Sequence, residues 1–149
     1  IMQVYDQEAT EADTYVNQIG TLNGNPIACA AGLATLAELR KPGSYERLRA
    51  TGSRLRQALV NVCAESGIPV QSCGEDTVFD VFFTDHPVYS YRDGLAADGW
   101  MMARFNAGML EQGILKGWPQ KFYPSLAHTE EDIRRTIEAF SVVISRLRR

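Results

Sequence analysis

The stretch from Thr129 to Arg149 admits one regular local structure. Its large apolar residues fall at Ile133, Ile137, Phe140, Ile144 and Leu147, in steps of four, three, four and three. That spacing lines one face of an α-helix and no face of a strand. Thr129 is placed to cap the helix, Glu130, Glu131 and Asp132 crowd its first turn, and Arg146, Arg148 and Arg149 sit at its end. Acid at the start and base at the finish both oppose the helix dipole. A helix with one apolar seam needs a core to lie on, and the rest of the chain must supply it.

Two more helices are legible upstream. Asn25 is an N-cap residue and Pro26 a first-position residue, so a helix is expected from Pro26 to about Arg40. Ile27, Ala30, Ala31, Leu33, Ala34, Leu36 and Ala37 make it apolar nearly all round, the mark of a buried helix. Pro42 and Gly43 end it. A second helix is expected from about Ser44 to Ser66, with Tyr45, Leu48, Leu55, Leu59 and Val62 on one face and Gly67 and Pro69 as its stop.

Val70 to Ser72 and Val78 to Thr84 read as strands joined by a turn at Gly74, Glu75 and Asp76. Asp85 to Gly94 reads as a loop. A third helix is expected from about Leu95 to Gln112, with Met101, Met102, Phe105, Met109 and Leu110 inward. Ile114 and Leu115 begin a short strand, Gly117, Trp118 and Pro119 break it, and Phe122 to Leu126 resume the sheet. The order of elements predicts an α+β fold, a small antiparallel sheet covered by helices on one side.

Composition narrows the partners. With 15 Lys plus Arg against 18 Asp plus Glu, the net charge is −3, which has no long-range attraction for nucleic acid or an anionic membrane. No apolar run is long enough to span a bilayer, and no stretch has the pattern of a signal peptide. The three cysteines, Cys29, Cys63 and Cys73, are odd in number and form no C-x-x-C pair. They read as small hydrophobes in a reducing compartment, so a cytoplasmic location is expected. His86 and His128 are isolated, with no metal-ligand spacing, and are given no catalytic role. Asp80 shares a strand face with Val78 and Phe82, and reads as an edge or solvated-face acid. Trp100 and Trp118 read as core or interface aromatics.

The segment with chemical content is Gly20-Thr21-Leu22-Asn23-Gly24-Asn25-Pro26. Its glycines permit unusual backbone angles and close approach to a ligand. It opens into a helix whose first N–H groups lack intrahelical partners, next to the Thr21 hydroxyl, which together make a cradle for phosphate. On loop physics alone a plain helix cap accounts for the same residues, and no Lys or Arg within the loop neutralises a dianion.

The residues also carry a resemblance. Gly20 to Leu36, GTLNGNPIACAAGLATL, resembles the phosphate-loop segment of class III aminotransferases, in particular the branch containing glutamate-1-semialdehyde aminomutase. Further similar segments follow in order: PGSYERL at Pro42–Leu48, LRQAL at Leu55–Leu59, VFDVFFTDHPV at Val78–Val88, RFNAGMLEQGI at Arg104–Ile114 and LAHTEEDIRRTIEAF at Leu126–Phe140. The resemblance implies the C-terminal domain of a fold-type I enzyme with pyridoxal phosphate as cofactor. Residues 1–19 would end the large domain or a linker, and 20–149 would be the phosphate loop, a connecting helix and the small domain. It implies a homodimer in which Gly20 and Thr21 bind the cofactor phosphate across the interface, and a small amino acid or amino ketone or aldehyde as substrate. Asn25 would hold the start of the following helix.

The family's Schiff-base lysine precedes the Gly-Thr pair. The only lysines here are Lys41, Lys116 and Lys121, all after it, so this chain by itself is expected to be inactive. Ile114 to Tyr123 departs from the Pro-Ser-Gln-Phe-Glu-like run expected of the aminomutases, which keeps open a transaminase acting on β-amino acids or ω-amino compounds. Lys116, Lys121 and Tyr123 are the candidates on the substrate side, but both lysines read first as solvated loop residues. A different class of function is a non-catalytic, stand-alone anion-binding or dimerisation domain.

Overall fold

A computed structural model describes Tyr5, Val16 and residues 20–117 and 121–148. The expectations placed on residues 1–19 as a segment, and on Trp118, Pro119 and Arg149, lie outside these residues. The chain divides into two units, Ile1–Lys41 and Pro42–Arg149.

In the first unit the Gly20 loop leads into α1, Pro26–Leu39. The Asn25 side chain accepts hydrogen bonds from the Ile27 N–H at 2.9 Å and the Ala28 N–H at 3.3 Å. Asn25 therefore caps the helix as its sequence position suggests. The expectation of burial is corrected: no residue of α1 is buried, and Ile27 is 81% exposed. An apolar sequence fixes what a helix needs to touch, and the exposed apolar residues of α1 are the surface that asks for cover.

The second unit holds a core between helices and a hairpin. It begins with α2, Ser44–Glu65. Two strands follow, β1 at Gln71–Glu75 and β2 at Val78–Phe82. They pair antiparallel with Cys73 opposite Asp80. Phe79, Val81 and, just beyond the strand, Phe83 are buried, whereas Val78, Asp80 and Phe82 are not. That alternation is the expected period of two. β1 starts one residue later than Val70 and takes in Gly74 and Glu75, which moves the turn to Asp76 and Thr77. Gly74 reaches φ +98° within the strand, a conformation that suits glycine.

The stretch expected to be a loop contains a short helix, α3, Tyr91–Leu95. Ser90 and Asp93 form a capping box that starts it. The third long helix is α4, Gly99–Glu111, and it begins later than expected because Asp98 accepts a hydrogen bond from the Met101 N–H at 2.8 Å. Met102, Phe105 and Met109 point into the core, but Leu110 is exposed. Trp100 is exposed as well and lies under the Arg104 guanidinium at 4.7 Å, so it is no core residue of this chain. Ile114 and Leu115 form no strand. The sheet is resumed only by an isolated bridge, in which Phe122 donates its N–H to the Phe79 carbonyl at 2.8 Å and accepts from the Phe79 N–H at 3.3 Å.

The last helix, α5, spans Glu130–Leu147. Thr129 and Asp132 close a capping box at its start. Ile133, Phe140, Val143, Ile144 and Leu147 are buried, in a cluster with Leu55, Leu59, Cys63, Phe79, Val81, Phe105 and Met109. Each large side chain removed from water contributes about 1.5–3 kcal/mol, so this seam is what holds the unit together. The fold is a mixed one, helices packed with a small antiparallel sheet.

Candidate functional site

The sequence candidates fall at two places, one in each unit. In the first unit, Thr21 to Gly24 form a turn in which Asn23 donates its N–H to the Gly20 carbonyl and Asn25 to that of Leu22, both at 3.1 Å. Gly24 sits at φ +72°. A Cβ on Gly20 would come within 2.4 Å of the Asn23 amide group, which packs over the glycine at that point. The helix start is less open than its sequence suggests, because the Asn25 oxygen occupies two of its N–H groups. What the loop still presents is the exposed Thr21. Among the described residues, no hydrogen bond takes its hydroxyl or the N–H groups of Thr21 and Leu22. Those neutral donors suit phosphate oxygens, and they fit a group whose charge is met elsewhere.

In the second unit, Lys116 and Tyr123 line one cavity of about 130 Å³ with Leu55, Ile114, Phe122, His128 and Ile133. Lys121 is turned to another task. Its Nζ lies 2.8 Å from Asp80 Oδ2, and that hydrogen bond, with the carboxylate charge, raises its pKa. Neither lysine is a simply solvated loop residue. The Lys116 ammonium lies 5.2 Å from the centre of the Phe122 ring and 5.9 Å from that of Phe105. Burial lowers its pKa to about 8, against an opposing pull from the Asp80 charge.

Sequence reasoning did not find this arrangement. Asp80 is legible as a face residue, but its partner lies 41 positions away, and although Phe122 is expected to rejoin the sheet, no local signal says that it pairs with Phe79 and so delivers Lys121 to Asp80. The histidines have structural roles. His86 Nδ1 is 2.5 Å from the buried Thr84 hydroxyl, and His128 Nδ1 accepts the Ser125 N–H at 2.9 Å. Among the described residues, no group of His, Cys, Asp or Glu is arranged to hold a metal ion.

The lowered pKa of Lys116 has a consequence for stability. Below about pH 8 the amine is protonated in both folded and unfolded chains, and the folded state bears the full cost of the buried charge. Between about 8 and 10.5 the folded state releases its proton first, so stability rises with pH. Lys116→Met is therefore expected to stabilise the chain at pH 7, by about 1 kcal/mol after allowance for solvent screening. The gain should shrink by pH 10. Urea midpoints of both chains at the two pH values check this, and a gain independent of pH would refute it.

No protein-family model matches the chain. Named relatives and solved structures do. Glutamate-1-semialdehyde 2,1-aminomutase of Desulfosudis oleivorans is 40% identical over 148 residues, which is 97% of this chain and 34% of the relative. An omega-transaminase from Sphaerobacter thermophilus superposes with a TM-score of 0.80 at 23% identity, over 99% of this chain and 34% of that one. A beta-phenylalanine aminotransferase from Variovorax paradoxus gives 0.74 at 28% identity, over 97% and 33%. The chain thus spans about a third of the length of the proteins it matches.

The fold is that of the C-terminal domain of pyridoxal-phosphate-dependent aminotransferases. By sequence the chain is similar to glutamate-1-semialdehyde 2,1-aminomutases, as the C-terminal portion of a class III, fold-type I member of that group would be.

Proposed function

We propose that the protein carrying this chain is a cytoplasmic, homodimeric pyridoxal-phosphate-dependent transaminase or aminomutase. It moves an amino group on a small amino acid or amino ketone or aldehyde. Residues 1–19 end its large domain or a linker, and residues 20–149 supply the phosphate loop, the connecting helix and the small domain. The observation that carries this reading is the Gly20 turn holding Thr21 exposed, with its hydroxyl unengaged among the described residues, beside a helix already capped by Asn25. Thr21 donates its hydroxyl to a phosphate oxygen, and Gly20 allows the loop to close behind it. Pyridoxal phosphate, when bound, supplies the electron sink for bond cleavage at the substrate carbon.

This chain's own share is binding and orientation. The Schiff-base lysine that the family places before the Gly-Thr pair is not among its residues, so the chain alone is read as inactive. On the substrate side Lys116 and Tyr123 share a cavity and can face a substrate carboxylate, whereas Lys121 is held by Asp80. Both aminomutases and transaminases are among the similar proteins, and the departure at Ile114 to Tyr123 keeps both readings open.

Thr21→Val in the full-length protein is expected to weaken cofactor binding roughly tenfold to a hundredfold. That corresponds to loss of one hydrogen bond to a charged group, about 1.5–3 kcal/mol. Titration of the apoprotein with pyridoxal phosphate, followed by absorbance, reads the loss, and Thr21→Ser should restore most of it. Unchanged affinity in Thr21→Val would sink the assignment. Retention of inorganic phosphate by the 149-residue chain, without any cofactor-dependent activity in the full-length protein, would favour the stand-alone anion-binding domain.

A further inference from the structure

We propose that Lys116 is an imine-forming amine, and that the cavity beside it takes a small apolar aldehyde. The site belongs to the second unit alone and does not depend on the phosphate loop. Three features converge on it. The Lys116 side chain lies against the faces of Phe105 and Phe122, which strip water from it. It also borders a hollow walled by Leu55, Phe122 and Ile133, a lining with room for a few carbon atoms. Its burial lowers the amine's pKa to about 8, so that more of it is neutral near pH 7 than of an exposed lysine, with Asp80 the carboxylate that opposes this. A desolvated lysine in an apolar pocket is the environment that turns an ammonium into a nucleophile.

The step balances without any further reactant. The Lys116 ammonium first releases a proton to solvent. The nitrogen lone pair then attacks the aldehyde carbon, a C–N bond forms, and the carbonyl oxygen leaves as water with the two remaining nitrogen hydrogens. The product is an imine, and water reverses its formation.

The two other lysines are internal standards. Lys41 is exposed and ion-paired to Glu38, and Lys121 is ion-paired to Asp80. The 149-residue chain is incubated at pH 7 with butanal and sodium cyanoborohydride, which reduces each imine to a stable butylamine. Peptide mass spectrometry then gives the rate at each lysine. Lys116 is expected to be labelled on the order of tenfold faster than Lys41 or Lys121, from its larger neutral fraction. The preference should vanish in concentrated urea. It should also vanish with a pyrene aldehyde, which is too large for a cavity of about 130 Å³. Equal or slower labelling of Lys116 would overturn the proposal, as would a preference that survives urea or is shared by the bulky aldehyde. All rates are compared within one wild-type chain, so the result does not depend on a variant folding.

Discussion

Phe140→Ala is expected to lower the unfolding free energy of the second unit by about 3–5 kcal/mol, the range for removing a fully buried aromatic side chain. Phe140 is 0% exposed at the middle of α5. Its ring meets Phe122 edge to face at 5.9 Å and lies 6.3 Å from Phe105. Truncation removes contacts to α4 and to the segment bridged to β2 at once, and neither can collapse into the space without breaking its own pairing. Marginal stability makes such a loss a large part of the total. Urea denaturation of the chain, followed by circular dichroism, should show a midpoint shift of the matching size. A loss under about 1 kcal/mol would mean that the seam of α5 is not what holds the unit together.

Much of this architecture was legible because it rests on local periodicity. The α5 seam, the Asn25 cap and the Phe79–Val81–Phe83 alternation depend on residues within a few positions of one another. The start of α4 and the existence of α3 were missed for the same kind of reason in reverse. Two short capping signals, Ser90 with Asp93 and Asp98 with Met101, break a stretch that apolar spacing alone would run together. The environment of Lys116 was not legible at all. It depends on Phe105, Phe122 and Asp80, which converge only after β2 has paired with the segment at Phe122. For α1, periodicity tells that its faces want cover, and not whether this stretch of chain contains the cover.

The same limit makes Gly52 the residue most easily undervalued. In the middle of α2 a glycine costs roughly 1 kcal/mol against alanine, so helix propensity alone predicts that Gly52→Ala stabilises. The structure predicts the opposite. A Cβ at position 52 would fall 1.6 Å from the Asp76 carbonyl oxygen, a backbone atom that cannot swing aside. Asp76 is itself fixed at the turn between β1 and β2, where its carboxylate lies 2.9 Å from Arg56, and Arg56 also donates to the Gly74 carbonyl at 3.0 Å. To admit the methyl group, α2 and the hairpin must separate, which disturbs the packing of Leu55 and Leu59 against the core. Gly52→Ala is therefore expected to cost about 3 kcal/mol, the upper part of the usual range for overpacking. Gly99→Ala is the matched control, because a Cβ there meets nothing within 4 Å. It should be neutral or slightly stabilising. If both variants unfold at the wild-type urea concentration, the close approach of α2 to the hairpin is wrong. If only Gly52→Ala falls, the glycine is there for contact and not for flexibility.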